Sequence, residues 1–110
     1  MPKMPATLKL KGKISTGEVW ANGKLILSKK SLEVIDHSPT GFSWGYGGSG
    51  PAQLALAILL RYIPEKEAVL LHQDFKWKFI ATLPQTDFET EIDIREWIAG
   101  IRAEMSSHGL

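Results

Sequence analysis

Between His37 and Gln53 the chain gathers glycines, aromatics and hydroxyl residues, and this is where its residue types could do chemistry. Five of its ten glycines fall between Gly41 and Gly50, and Gly50-Pro51 opens an apolar stretch with helical character. Glycines ahead of a helix start let backbone N–H groups approach an anion with no Cβ in the way, and the helix dipole favours negative charge there. The chemistry this permits is capture of a phosphate-like or carboxylate group. Candidate ligand-binding residues are His37, Ser38, Thr40, Trp44, Tyr46, Gly47, Gly48, Ser49, Gly50 and Gln53. Trp44 and Tyr46 offer stacking area, and the amides from Gly47 to Gly50 with the Ser49 hydroxyl offer donors. Gln53 is either part of the site or spent on capping the helix.

Known motifs fit this segment only in part. Gly45, Gly47 and Gly50 match G-x-G-x-x-G, but a dinucleotide site needs a βαβ unit, and hairpin signals stand there instead. Gly45 and Gly50 have the spacing of a phosphate-binding P-loop. Pro51 and Ala52 then occupy the places of its lysine and hydroxyl residue. Ser49 suggests a nucleophile elbow but lacks the closing glycine of G-x-S-x-G. The three histidines have no metal-ligand spacing, and the absence of cysteine removes thiolate chemistry and disulfides. His72 reads as a partly buried hydrogen-bonding residue. No catalytic residue, metal or cofactor is assigned.

The elements that position the loop follow from periodicity. Thr7 to Lys13 alternates as a half-buried strand. Asn22-Gly23 between two short apolar runs predicts a hairpin. Ser31 to Asp36, with Val34 and Ile35, predicts a further strand, and Phe42 to Tyr46 a short one with its three aromatics on one face. Ala52 to Tyr62 is apolar nearly all round and predicts a buried helix with Pro51 at its first position. Pro64 opens a second helix, with Ala68, Leu71, Phe75, Phe79 and Leu83 on its core face and Trp77 half-exposed. Thr90 to Asp93 resembles a capping box opening a third helix, with Ile94, Trp97, Ile98, Ile101 and Met105 as its stripe and His108 and Gly109 as stop signals. The fold class expected is α+β: a small N-terminal antiparallel sheet on about three C-terminal helices, the first buried. The 110 residues form a single domain with residues 1–6 as an arm.

Charge bears on partners. The net charge is +1, so a general field for nucleic acid is absent. Lysines 3, 9, 11, 13, 24, 29 and 30 crowd the first thirty residues against Glu18 alone, while the last 28 hold six acids against Arg95 and Arg102. The plain reading is a solvated lysine face on a sheet. A weak anion or nucleic-acid face and a basic-to-acidic contact between subunits, giving a homo-oligomer, are the alternatives. No apolar leader or membrane-length run is visible, which points to a cytoplasmic protein.

The segment HSPTGFSWGYGGSGPAQLALAILL, residues 37–60, resembles a family of small bacterial and phage-type proteins of unknown function. The hairpin before it and HQDFKWKFIATLP after it, residues 72–84, fit as well, so the resemblance runs from about Gly17 to Ala99. It implies a self-contained cytosolic domain, carried on mobile or phage DNA, and it names no chemistry. The residues themselves favour a non-catalytic binding protein whose partner is another protein or a small anionic, nucleotide-like ligand. Two alternatives remain open. One is a small enzyme on a phosphorylated or nucleotide-like substrate, with His37 or Asp74 as acid/base. The other is a purely structural loop whose glycines admit the protein's own core.

Overall fold

β1 (Leu8–Lys13) alternates buried and exposed residues along its length, because one face of the strand lies in the core. β2 (Glu18–Ala21) pairs antiparallel with it and turns through Asn22-Gly23 into the two-residue β3 (Lys24–Leu25). Both turn residues have positive φ, 49° and 81°, as the Asn-Gly pair predicts. These elements belong to a computed structural model that describes residues 3–107.

The sheet is completed from the far end of the chain. β4 (Phe88–Ile92) pairs antiparallel with β1, giving the order β3-β2-β1-β4. This register sets the basic and acidic ends of the sequence side by side. Lys9 stands opposite Glu91 and Lys11 opposite Glu89, with Lys11 Nζ 3.6 Å from a Glu89 carboxylate oxygen. The uneven charge along the chain thus becomes a set of opposite-charge neighbours on the outer face of the sheet.

The inner face carries the core. Leu8, Leu10, Val19 and Ala21 join Leu54 and Ile58 of α2 (Ser49–Leu60), Leu71 and Phe75 of α3 (Glu65–Phe75), and Ile94 and Ile98 of α4 (Ile94–Ser107) in one cluster. Every residue of α2 from Gly50 to Leu60 is buried, the expected fate of a helix with no polar face. Arg102 of α4 clasps Glu67 of α3 through two hydrogen bonds of 2.7 and 2.6 Å. The α+β architecture with a buried first C-terminal helix is therefore as expected.

Four local expectations are corrected. Ser31 to Asp36 is not a strand; α1 (Lys29–Val34) forms there. A helical turn brings the Ser31 hydroxyl and the Ile35 carbonyl together so that the one Gln53 amide can bond both, at 2.9 and 3.0 Å. Phe42 to Tyr46 forms no strand either, because Gly41 and Gly45 both take positive φ. Its aromatics separate: Trp44 is buried, Phe42 half-buried and Tyr46 exposed. The third helix opens at Ile94, not at Thr90, since Thr90 to Ile92 are consumed by β4. The second helix does not run unbroken to Leu83. A π turn (Lys76–Ile80) follows α3, and the Ala81 amide bonds back to the Lys76 carbonyl at 2.8 Å. The stop signals His108 and Gly109, with Leu110, and the first two residues of the arm, Met1 and Pro2, lie outside the described residues.

Candidate functional site

The glycine-rich segment sits between the start of α2 and the end of α3, and most of its close approaches are taken up by the protein itself. α2 begins at Ser49 with Gly48 as cap, so Pro51 stands at the third helical position and Gln53 lies past the cap. A Cβ at Gly47 would collide with the Trp77 ring, one at Gly48 with the Tyr46 ring, and one at Gly50 with the Ser43 hydroxyl. At Gly45 a Cβ would meet the Leu83 carbonyl and the Gln85 side chain. Glycine is thus required here for space, and the space is filled by Trp77, Tyr46, Ser43 and Gln85. The Ser43 and Tyr46 hydroxyls are 2.8 Å apart, and Gln85 donates to the Gly45 carbonyl at 3.1 Å.

Gln53 fastens the front of the loop. It is fully buried, and its Oε1 accepts from the backbone N–H groups of His37 at 2.7 Å and Ser38 at 3.1 Å. Its amide nitrogen donates to Ser31 and Ile35, so both halves of the side-chain amide are used. A buried amide with every site paired stabilises one chain path, and one left unpaired costs about 1–3 kcal/mol per group.

Two further tethers come from α3 and the π turn. His72, buried, places Nε2 3.0 Å from His37 Nε2, and its Nδ1 lies 2.7 Å from the Val69 carbonyl. One helical turn on, Lys76 is 94% buried in effect, its exposure being only 6%, and donates from Nζ to the Gly47 carbonyl at 3.0 Å. The same ammonium lies 4.3 Å from the Trp77 ring centroid, close enough for a cation–π contact. Among the described residues no carboxylate is within ion-pair distance of it. Burial pushes the His37 pKa below its ordinary value near 6.5, His72 and Lys76 push the same way, and Asp36 opposes them.

The candidate residues therefore divide. His37, Ser38 and Gln53 form the front tether. Tyr46, Gly47, Gly48 and Ser49 form the rear, where Tyr46 and Ser49 are exposed and the two glycines half-buried. Gly50 is buried against Ser43. Trp44 belongs to the core, edge-on to Phe88 at 5.0 Å, with its indole N–H on the Thr86 carbonyl at 2.8 Å. Thr40 is exposed and shares a shallow recess with Thr16, Gly17 and Phe42. Asp74 is exposed on α3. Lys76 is the residue that sequence reasoning missed, and the pairing of His72 with His37 was equally unread. The available signal was spacing: His72 and Lys76 repeat the four-residue step of Leu71 and Phe75, one position on.

Among the described residues no three His, Asp or Glu side chains are grouped to hold a metal ion, and no helix is long and apolar enough to cross a membrane. The class of protein is thus an α+β domain with an internally tied glycine-rich loop. The chain belongs to a family of unknown function, DUF6166, whose model matches residues 10–100. No curated protein and no solved structure matches it.

Proposed function

We propose that this chain is a non-catalytic recognition domain, and that its binding face is the segment from Tyr46 to Ser49 together with Trp77. The partner is another protein. The observation that carries this reading is Trp77: 59% of its surface is exposed while its ring rests on Gly47 beside the Lys76 ammonium. A large aromatic held in a defined place but left in solvent is the kind of anchor that dominates protein interfaces. Tyr46, 46% exposed, flanks the neighbouring Gly48 and extends the same surface. Leu70, 61% exposed, lies seven residues before Trp77 on the helical segment.

A small anionic ligand is the second reading, and Lys76 favours it. The loop lacks a P-loop lysine in sequence, yet an ammonium with no carboxylate beside it reaches the Gly47 carbonyl from the π turn.

Native mass spectrometry of the protein purified from its own cells tests both. The expected result is a stoichiometric protein partner kept by the wild type and by Leu27→Ala, a control at another exposed apolar residue. Trp77→Ala, with an unchanged melting curve, loses that partner. Equal retention by Trp77→Ala overturns the reading. A co-purified phosphate-bearing small molecule, lost in Lys76→Met, supports the second reading instead.

A further inference from the structure

His37 and His72 are 35 positions apart in sequence and meet ring to ring, Nε2 to Nε2 at 3.0 Å, with centroids 5.1 Å apart and planes tilted by 39°. The direction of their hydrogen bond can be deduced. A carbonyl only accepts, so His72 Nδ1 must carry the hydrogen it gives to Val69. In neutral His72 the Nε2 atom is then a lone pair, and His37 Nε2 must be the donor. His37 keeps one free lone pair, on Nδ1. Its backbone N–H is already held by Gln53. Further along, Lys76 holds the Gly47 carbonyl, so α3 and the π turn grip the segment 37–48 at both of its ends. Between those grips the segment contains neither helix nor strand.

We propose that the His37–His72 pair is a proton-operated latch on the loop 37–48, closed when the pair carries no proton or one and opened when it carries two. The first proton enters at His37 Nδ1. It leaves the Nε2–H···Nε2 bond in place and makes it charge-assisted. A second proton has only His72 Nε2 to occupy. Two N–H donors then face each other across 3.0 Å, and the Gln73 side-chain amide nitrogen, 3.5 Å from His72 Nε2, is a further donor and not an acceptor. Lys76 adds a third positive charge from the π turn, Asp36 is the opposing charge from the loop side, and α2 contributes only the neutral Gln53. The His37 ring separates from His72, and the front of the loop is left with its backbone tether alone. Burial, His72 and Lys76 hold the His37 pKa below 6.5, so the first proton is already taken up on the acid side of that value, and opening follows the second. The latch rests on hydrogen-bond geometry and does not depend on what the loop recognises.

Hydrogen exchange of the loop amides in the full chain, corrected for the intrinsic pH dependence of exchange, tests this alongside imidazole titration by NMR. Protection of residues 38–48 should fall about tenfold on acidification below pH 6.5, in step with the uptake of the second proton by the pair. His72→Gln keeps an acceptor for His37, and His37→Gln keeps a donor for His72; neither can take up the second proton. Both variants should hold the loop closed at the pH where the wild type opens. Unchanged protection in the wild type, or the same loss in both variants, overturns the proposal. If both variants fail to fold at pH 7.5, the wild type decides alone: rings that titrate with no change in loop exchange overturn it, and coincident midpoints support it.

Discussion

Gly23 and Gly45 have nearly the same backbone conformation and opposite surroundings. Their φ angles are 81° and 86°. Nothing lies within 4 Å of where a Gly23 Cβ would stand, whereas at Gly45 the Leu83 carbonyl oxygen is 2.9 Å away and the Gln85 backbone nitrogen 3.2 Å. At the hairpin, glycine is needed for its dihedral alone. In the loop it is needed for dihedral and room together, and the room is occupied by the protein. A glycine cluster ahead of a helix looks the same in sequence whether its guest is a phosphate or a neighbouring side chain. The difference is in what fills the gap.

The contrast between an internally packed loop and a solvated sheet face can be broken by mutation. The largest effect is expected at Trp44, whose ring fills the core beside Phe88: Trp44→Ala should cost about 3–5 kcal/mol in denaturant unfolding. A loss below 1 kcal/mol would mean that the loop is not packed as described. Next comes the glycine pair. Gly23→Ala should cost roughly 1–2 kcal/mol for its left-handed φ, and Gly45→Ala more than that, because its Cβ also meets backbone. Equal losses at the two sites would remove the crowding argument and leave only the dihedral.

A smaller effect comes with pH. The folded-state pKa of His37 lies below the ordinary value near 6.5, so the unfolded chain takes up the proton more readily. Its contribution to stability is complete above pH 6.5 and is lost as pH falls through the folded value. Thermal melts between pH 7.5 and 5 should show this decline, and His37→Gln should flatten it. Glu67, held below its ordinary value near 4.5 by the Arg102 hydrogen bonds, adds a second decline at lower pH. That one should disappear in Arg102→Ala. The smallest effect belongs to the sheet face. Lys11 and Glu89 are 66% and 77% exposed as side chains, so Lys11→Ala should change stability by no more than about 0.5 kcal/mol. A larger, salt-dependent change would show that the charged face matters to the fold.

Much of the fold was legible because local rules and tertiary demands agreed. Leu8 and Leu10 alternate with lysines and do form a half-buried strand; Asn22-Gly23 does turn; the apolar run after Pro51 is buried. Where they disagreed, the tertiary contact won. Val34 and Ile35 favour a strand, yet the segment coils into α1, where Ser31 and Ile35 reach the Gln53 amide. Thr90 to Asp93 reads as a helix cap, yet β1 needed a partner on its second edge and took Thr90 to Ile92 into β4. Sequence shows where the glycines cluster, but not that Trp77, Ser43 and Gln85 fill the space beside Gly47, Gly50 and Gly45. Trp77 was read as half-exposed, but nothing in its spacing says that it rests on Gly47.

By itself the sequence determined the α+β class, the hairpin, the buried central helix and the place where the chain narrows to glycine. Those follow from periods of two and of 3.6 residues and from backbone preferences, which act over a few neighbours. Tertiary structure alone decided that His37 meets His72, that Lys76 turns inward to Gly47, and that lysines 9 and 11 stand beside glutamates 91 and 89. These are meetings between residues 29 to 82 positions apart, and a side chain's charge and hydrogen-bond partner are set by what folding brings against it.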